Sequence, residues 1–481
     1  MVDSPTLYID GTWRAASNGA TFAVTDPSDD AVLATISDGT GEDAAAAIAA
    51  AKAAQAAWGA TPISRRTEVL RGLHAAVVGR TDELAELISA ESGKPVAEAR
   101  GEVGYGAQFI SWFADQASQV HGEHYSDPEG RTRILTSRRP VGPSLLITPW
   151  NFPLAMVTRK LAPALAAGCT TVIKPAEQTP LTAVRLVELL LEQDVPAGVV
   201  NLVTTTRARE MSEAVFASPA LRNVSFTGST GVGSELLRAA SHRVVRTSME
   251  LGGNAPFVVF DDASPEVFEG AIVAKLRNGG QSCIAANRFL VHDSIADDFA
   301  DRLAARIAEL RVGPGRAPGS DIGPLIDSRA VTKVQRMVDD AVAAGARVVY
   351  RADVPTDRGC FFPPTVLVDV PLDSPVYRDE VFGPVATVTR FKDEQHAVAL
   401  ANDTDAGLAA YVFTADLTRA LRVGGALDAG IVGINRGFVS TAAAPFGGIK
   451  TSGLGREGGL HGLDEYLETQ YLALPVDTPL L

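Results

Sequence analysis

Asn223-Val224-Ser225-Phe226-Thr227-Gly228-Ser229-Thr230-Gly231-Val232-Gly233 reads as a strand that runs into a helix through a turn of small residues. Asn223 to Phe226 forms the strand and Gly231 to Ala240 the helix. The start of such a helix leaves free N–H groups that suit a phosphate, and the glycines permit close approach. The order is not G-x-G-x-x-G, so the segment alone does not specify a dinucleotide. The same texture extends in both directions. Upstream come a strand at Val141 to Ile147, an Ala-rich helix from near Leu154 and a strand at Thr171 to Ile173. A helix at Leu181 to Glu192, a strand at Val199 to Val203 and a helix at Met211 to Ala217 follow. Strands alternating with helices of this length imply an α/β fold, with a parallel sheet and helical crossovers. Downstream a second series begins at Pro256 to Phe260 and runs to about Leu427, with helices at Ser294 to Leu310 and Ala330 to Ala344. No repeat of fixed period is present.

The N-terminal part is different. Leu7 to Thr12 reads as a hairpin around Asp10-Gly11. Helices are expected over Glu42 to Trp58, Arg65 to Glu91 (ending near Gly93-Lys94-Pro95) and Ala97 to Ala117. In the last of these, Tyr105, Phe109, Trp112 and Phe113 recur at helical spacing and read as core. Val120 to Arg139 carries the turn Asp127-Pro128-Glu129-Gly130 and reads as a projecting hairpin. The tail, Glu465 to Leu481, holds a strand-like run and ends apolar. A hairpin and an apolar tail of this kind often pair across subunits, so a homodimer or homotetramer is expected.

A chain of 481 residues suggests two or three domains and can bury a large core unaided. With 43 basic and 57 acidic residues the net charge is −14, which argues against nucleic-acid or anionic-membrane partners. No apolar run approaches the ~18 residues of a membrane span, and the first residues do not resemble a leader peptide. The three cysteines, Cys169, Cys283 and Cys360, are too few and too far apart for a disulfide framework. A reducing, cytoplasmic setting is expected.

Six segments offer chemistry. In Asn278-Gly279-Gly280-Gln281-Ser282-Cys283, two glycines let the backbone turn sharply before a thiol, which can ionise and attack a carbonyl. Taken alone, the cysteine reads first as a small buried hydrophobe. In Met249-Glu250-Leu251-Gly252-Gly253-Asn254 a carboxylate ends an apolar strand, where burial would raise it towards a useful base; a salt-bridge or capping role is the plainer reading. In Pro149-Trp150-Asn151-Phe152-Pro153 a side-chain amide between prolines is a good oxyanion donor, or simply a helix cap. In Ile173-Lys174-Pro175-Ala176-Glu177, lysine and glutamate at a strand end can bind ribose hydroxyls. Phe226 to Gly233 supplies the phosphate turn. Glu380-Val381-Phe382-Gly383-Pro384 could hold a ribose and a nicotinamide ring. Cys169 and Cys360 read as packing, and the seven histidines form no metal-spaced pair, so no metal site is expected.

Together these segments resemble the aldehyde dehydrogenase superfamily. PWNFP, KPAEQTP, FTGST, MELGGNAP, GQSC and EVFGP stand in that family's order. A seventh segment also matches: Pro445-Phe446-Gly447-Gly448-Ile449-Lys450, continued by Ser452-Gly453-Leu454-Gly455-Arg456-Glu457. The resemblance covers nearly the whole chain. It implies a Rossmann-type cofactor domain over 1–119 and 140–250 and an α/β catalytic domain over 251–430. A small β oligomerisation arm with the C-terminal segment would occupy 120–139 and 431–481. It makes Cys283 the nucleophile and Glu250 the general base, with Asn151 and the Cys283 N–H forming the oxyanion hole. Thr148, Pro149, Trp150, Asn151, Lys174, Ala176, Glu177, Gly228, Ser229, Leu251, Glu380 and Phe382 would line a dinucleotide. The reaction implied is oxidation of an aldehyde to an acid through a thiohemiacetal and a thioester.

Within the superfamily the likeness is greatest to succinate-semialdehyde dehydrogenases, carried by Arg159, Arg277 and Ser440. In that subfamily these positions hold the far carboxylate of the substrate. Two arginines facing one pocket make sense if an anion completes it; the plainer reading pairs either with a protein acid. Glutarate semialdehyde and neutral aldehydes are the alternative substrates. Glu250 counts against transfer to coenzyme A, and the complete Cys283, Glu250 and Asn151 set against a non-catalytic protein. Two positions depart from relatives. Ala285 stands where some carry a second cysteine, which removes a disulfide switch, and Thr204-Thr205-Thr206 replaces a common Thr-Gly-Ser, which is expected to alter the loop near the adenosine phosphate. Glu177 would bond a 2′-hydroxyl and repel a 2′-phosphate, so NAD is favoured over NADP.

Overall fold

The computed structural model describes residues 6–355 and 358–477. The first residues of the chain and the apolar end of the tail, 478–481, lie outside the described residues. Two large sheets dominate. In the first, five parallel strands lie in the spatial order Val200–Leu202, Thr171–Lys174, Ser144–Ile147, Asn223–Thr227, Arg246–Glu250. Their residues are almost all buried, as expected of strands covered on both faces. The chain starts this series in the middle, winds outward to one edge, then returns and winds to the other. The strand order therefore reverses between Ser144–Ile147 and Asn223–Thr227, and the crevice at their carboxyl ends is where such sheets bind ligands. The expected hairpin, Leu7–Ile9 with Thr12–Arg14, extends this sheet through Tyr8 opposite Leu202.

The second sheet runs Arg347–Arg351, Thr365–Val368, Val385–Phe391, Ala286–His292, Ala255–Val259, Ala409–Phe413, Ile431–Ile434, parallel except at its first edge. Its last strand begins one residue past the boundary expected at 430. Gly453–Leu454 returns to the first sheet beside Arg246–Glu250, so the C-terminal segment serves both sheets. Glu250 to Asn254 is the direct link from the carboxyl end of a strand in one sheet to the start of a strand in the other, and the cleft lies at that junction.

The projecting hairpin is present, His124–Ser126 with Thr132–Pro140. The tail strand Leu467–Pro475 pairs along the whole length of Thr132–Pro140, from Leu467 opposite Pro140 to Pro475 opposite Thr132. Hairpin and tail thus pair with each other within the chain, as one three-stranded sheet. The helix expected over Arg65 to Glu91 is two helices, Ile63–Gly79 and Thr81–Ser92. The break falls at Arg80, whose φ of −119° and ψ of 28° leave the helical region, and the Thr81 hydroxyl bonds Val78 O instead of continuing the ladder. A second N-terminal hairpin, Thr21–Thr25 with Val32–Ser37, turns through Asp26-Pro27-Ser28-Asp29-Asp30, a cluster of turn-forming residues that was its available signal. Among the described residues no helix is long and apolar enough to cross a membrane.

Candidate active site

The loop that presents Cys283 is built from backbone conformations few residues accept. Asn278, Gly279 and Gly280 have φ of 55°, 61° and 78°. A Cβ on Gly280 would lie 2.3 Å from Gly383 O, and one on Gly253 2.2 Å from Cys283 O, so both glycines are needed for close approach. The Gln281 side chain ties the loop down, donating to Asn278 O and accepting from Ile326 N. Cys283 emerges half-buried into a cavity of about 280 Å³ that it shares with Asn151, Met156, Glu380 and Phe382. Burial, then the nearby Glu380 carboxylate, pushes its thiol up to about 12.

Asn151 follows the strand Ser144–Ile147 and is buried. Its Nδ2 donates to Gln281 O at 3.1 Å, which leaves its second N–H free. It does not cap the next helix: the N–H groups of Leu154 and Ala155 go to Glu102 Oε1 at 2.9 and 3.3 Å.

Glu250 ends its strand with both oxygens buried and unpartnered. It sits against Gly447, where a Cβ would come within 2.9 Å of its Oε1. Around it is a cluster that the sequence reading did not assemble. Arg159 Nε and Lys160 Nζ each lie 2.5 Å from Glu457, and Lys160 also donates to Ser225 Oγ at 3.0 Å. Burial, then Glu457, raises Glu250 well above the carboxylate range. Glu457 goes the other way: burial opposes its charge, but Arg159 and Lys160 outweigh it and hold Glu457 below the usual range.

This arrangement corrects the expectation for Arg159. Every residue of its helix, Ala155–Ala167, is buried, and its guanidinium is already paired with Glu457, between the rings of Phe446 and Phe109 at 4.1 and 5.3 Å. Its Nη2 is buried without a hydrogen-bond partner, and its Nε meets Glu457 as an ion pair rather than in hydrogen-bond geometry. Arg277 is the opposite case. It is half-buried, forms no ion pair among the described residues, and is held among the rings of Phe152, Phe438 and Tyr105 at 4.5, 4.9 and 5.8 Å. Ser440 is buried two residues beyond Phe438, and the Tyr105 hydroxyl is buried without a partner.

On the other side of Cys283 the cavity continues, past Trp150, Gly228 and Ser229, into a larger one of about 770 Å³ at the strand-order reversal. Thr148, Pro149, Lys174, Ala176 and Glu177 line it. Ser229 caps the helix Thr230–Ser241, so the helix N-terminus faces this space. Leu251 can pack against that helix because Gly233 carries no side chain; a Cβ there would meet Leu251 at 2.4 Å. Lys174 lies 3.5 Å from Glu177, which keeps 41% of its side chain exposed. Near Cys283, Glu380 accepts from Gly253 N at 3.1 Å, and burial pushes it up to about 7. Phe382 holds a φ of 57° and meets Trp150 edge-on at 5.4 Å. A helix N-terminus, two ribose-sized polar points and an aromatic wall near the thiol fit a nicotinamide dinucleotide.

The threonines at 204–206 do not approach this cleft. Thr204 bonds Ser37 O, while Thr205 and Thr206 bond Gly39 and Asp38. They tie the loop to the N-terminal segment, contrary to the role expected near the phosphate. Cys169 and Cys360 are buried and unpaired, in keeping with packing roles. Reading by sequence also missed Lys94, Glu98 and Glu102. Their four-residue spacing was the available signal, but a charged stripe is more often a solvated helix face.

The model of the aldehyde dehydrogenase family matches residues 13–472. A succinate-semialdehyde dehydrogenase of Paenarthrobacter nicotinovorans is 51% identical, over 92% of this chain and 99% of its own. A glutarate-semialdehyde dehydrogenase of Pseudomonas putida is 46% identical, over 98% and 97%. An E. coli NADP-dependent enzyme of known structure is 45% identical and superposes with a TM-score of 0.96 over 98% of both chains.

Proposed function

The chain belongs to the aldehyde dehydrogenase family, and from that premise we propose that it oxidises a carboxylate-bearing semialdehyde, with succinate semialdehyde preferred over glutarate semialdehyde. The observation that carries the substrate class is Arg277: a guanidinium six residues before the nucleophile, held by aromatic rings and without an ion pair among the described residues. A half-buried guanidinium with no ion-pair partner leaves its fork open to an anion, and a substrate carboxylate would fill it in bidentate geometry. The Ser440 hydroxyl is assigned to the same carboxylate, whereas Arg159 is already engaged by Glu457. Both relatives named for semialdehydes support this reading.

Cys283 is assigned as the nucleophile. Its thiol releases its proton to the water of the cleft, and the thiolate adds to the aldehyde carbon, forming a C–S bond as the carbonyl π electrons move to oxygen to give a tetrahedral oxyanion. The free N–H of Asn151 and the Cys283 backbone N–H hold that oxyanion. Nicotinamide dinucleotide, bound along Thr148 to Asn151, Lys174 to Glu177, Gly228, Ser229, Leu251, Glu380 and Phe382, supplies the hydride acceptor. Glu250 then takes a proton from water as the water adds to the thioester carbon; the C–S bond breaks and the acid leaves. A base in this position needs a raised pKa and no competing hydrogen bond, and Glu250 has both.

The family uses NAD or NADP. NAD is the reading preferred here, because Glu177 stands on the adenosine side of the cleft where a 2′-phosphate would meet a like charge. The description of the E. coli structure as NADP-dependent supports the other cofactor. The segments 1–119 with 140–250 are assigned to the cofactor unit, 251–430 to the catalytic unit, and the arm to the contact of a homodimer or homotetramer. Tyr125, Tyr471 and Leu472 stand exposed on that arm at 50%, 63% and 51%, which supports its burial by another copy. A cytoplasmic, reducing setting suits a thiol nucleophile. The test of the substrate class is kcat/KM for succinate semialdehyde against butyraldehyde: a strong preference for the semialdehyde is expected, and equal turnover would overturn the anion pocket.

A further inference from the structure

Lys94, Glu98 and Glu102 lie four residues apart along one face, from the turn before the helix Val96–Gln116 into its second turn. Lys94 and Glu102 are almost wholly buried. Lys94 Nζ donates to Glu102 Oε2 at 2.5 Å and to Asn151 O at 2.6 Å. Glu102 Oε1 receives the N–H groups of Leu154 and Ala155, which begin the next helix. Glu98 Oε2 receives the N–H of Asn278 at 2.8 Å, the residue at φ 55° in the turn before Cys283. The Asn278 side chain closes the circuit, donating to Asn151 O at 2.9 Å and Gln281 O at 3.2 Å. One helix face therefore grips both halves of the proposed oxyanion hole: the Asn151 loop through Lys94 and Glu102, and the Cys283 loop through Glu98.

We propose that Lys94, buttressed by Glu102 and Glu98, is a positioning residue that fixes the Asn151 amide relative to Cys283. This inference rests on the assignment of Asn151 and Cys283 above. An uncommon geometry supports it. A lysine buried this deeply is costly unless paired, and here one of its donors is spent on the main chain of the oxyanion residue. Displacing a catalytic group by about 1 Å can cost about a hundredfold in rate.

Two reactions of Cys283 separate positioning from general integrity. Acylation by p-nitrophenyl acetate passes through a tetrahedral oxyanion: the thiolate adds to the ester carbon, p-nitrophenolate leaves, and a thioester remains. Alkylation by iodoacetamide forms a C–S bond as iodide leaves, with no oxyanion. For Lys94→Met, acylation is expected to slow about 10- to 100-fold, alkylation to stay within about twofold, and Lys94→Met combined with Asn151→Ala to be no slower than Asn151→Ala alone. If Lys94→Met does not fold, Asn278→Gly removes the second hydrogen bond to the same carbonyl and tolerates the positive φ; the same selective loss is expected. Equal effects on both reactions, no effect on either, or full additivity with Asn151→Ala would overturn the proposal. If Asn151→Ala itself leaves acylation untouched, the oxyanion assignment fails first and the positioning role falls with it.

Discussion

Cys283 and Glu250 serve one proposed reaction, yet their surroundings are built on opposite rules. The cavity around Cys283 is walled by Trp150, Met156, Val334 and Phe382, with charge confined to Glu380 and Lys333. Around Glu250 the protein buries Arg159, Lys160 and Glu457 together. In the cavity, burial pushes the thiol up, and the positive charge of Arg159 only partly opposes it. In the cluster, both cations attend to Glu457 and hold its carboxyl low, so the carboxylate beside it, Glu250, is the one left high. Two titratable groups pushed apart by their environments mark distinct acid–base roles. The comparison places the stabilised charge on Glu457 and leaves Glu250 the carboxyl with the raised pKa, which suits the base proposed for it.

The largest effect should come from the cavity. Cys283→Ala is expected to abolish NADH or NADPH formation, with a loss of at least about a thousandfold, while leaving cofactor binding intact by fluorescence titration. Activity within tenfold of wild type would remove Cys283 from the mechanism. The cluster comes next. Glu250→Gln is expected to lower kcat about 10²- to 10³-fold, and a burst of about one reduced cofactor per site should survive, because only thioester hydrolysis is lost. Loss of the burst together with the steady state would place Glu250 before the thioester instead.

The relation between the two acids has its own test in pH. Hydrolysis needs deprotonated Glu250, so kcat should rise with pH through its elevated pKa. Glu457→Gln removes the charge that helps raise it, and the rise should move to lower pH. The same change strands Arg159 and Lys160 without their anion, and a loss of roughly 3–5 kcal/mol of stability is expected by thermal denaturation. A profile that stays in place would show that burial alone sets Glu250.

The chemistry of both regions was legible in the sequence to different degrees. Linear motifs announced Cys283, Glu250 and Asn151 because each needs its local turn: two glycines before the thiol, two after the carboxylate, prolines around the amide. The doubly wound sheet was legible because strand and helix lengths alternate regularly. Partnerships across the chain were not. Glu457 lies 298 positions from Arg159 in the chain, and nothing local distinguishes a guanidinium paired with it from one open to substrate. Arg277 and Arg159 therefore looked alike, although of the two only Arg159 forms an ion pair among the described residues. Lys94, Glu98 and Glu102 stayed hidden for a related reason: the spacing that puts charges on one helix face does not say what that face meets.

The contrast between the arginines gives a prediction of intermediate size. Arg277→Ala should lower kcat/KM for succinate semialdehyde about 10- to 100-fold, the worth of a charge-assisted hydrogen bond or two, and leave butyraldehyde nearly unchanged. Arg159→Ala should instead penalise both aldehydes and stability together, because it unpairs Glu457. If the two variants behave alike on both substrates, Arg277 is no more open to substrate than Arg159.

The smallest effect belongs at the far rim of the cleft. Glu177 keeps 41% of its side chain in water, so its field on a neighbouring phosphate is heavily screened. Its contribution against a 2′-phosphate should be only ~1 kcal/mol, about fivefold in affinity. Glu177→Ser removes the repulsion and frees Lys174, its ion-pair partner at 3.5 Å, to meet the phosphate. The ratio of kcat/KM for NADP to that for NAD should therefore rise about fivefold, and the gain should shrink as salt is added. A ratio that does not move would mean that Glu177 already turns aside when cofactor binds, and that the choice between NAD and NADP is made elsewhere in the cleft, with Arg209 and Arg238 on the same wall the next residues to vary.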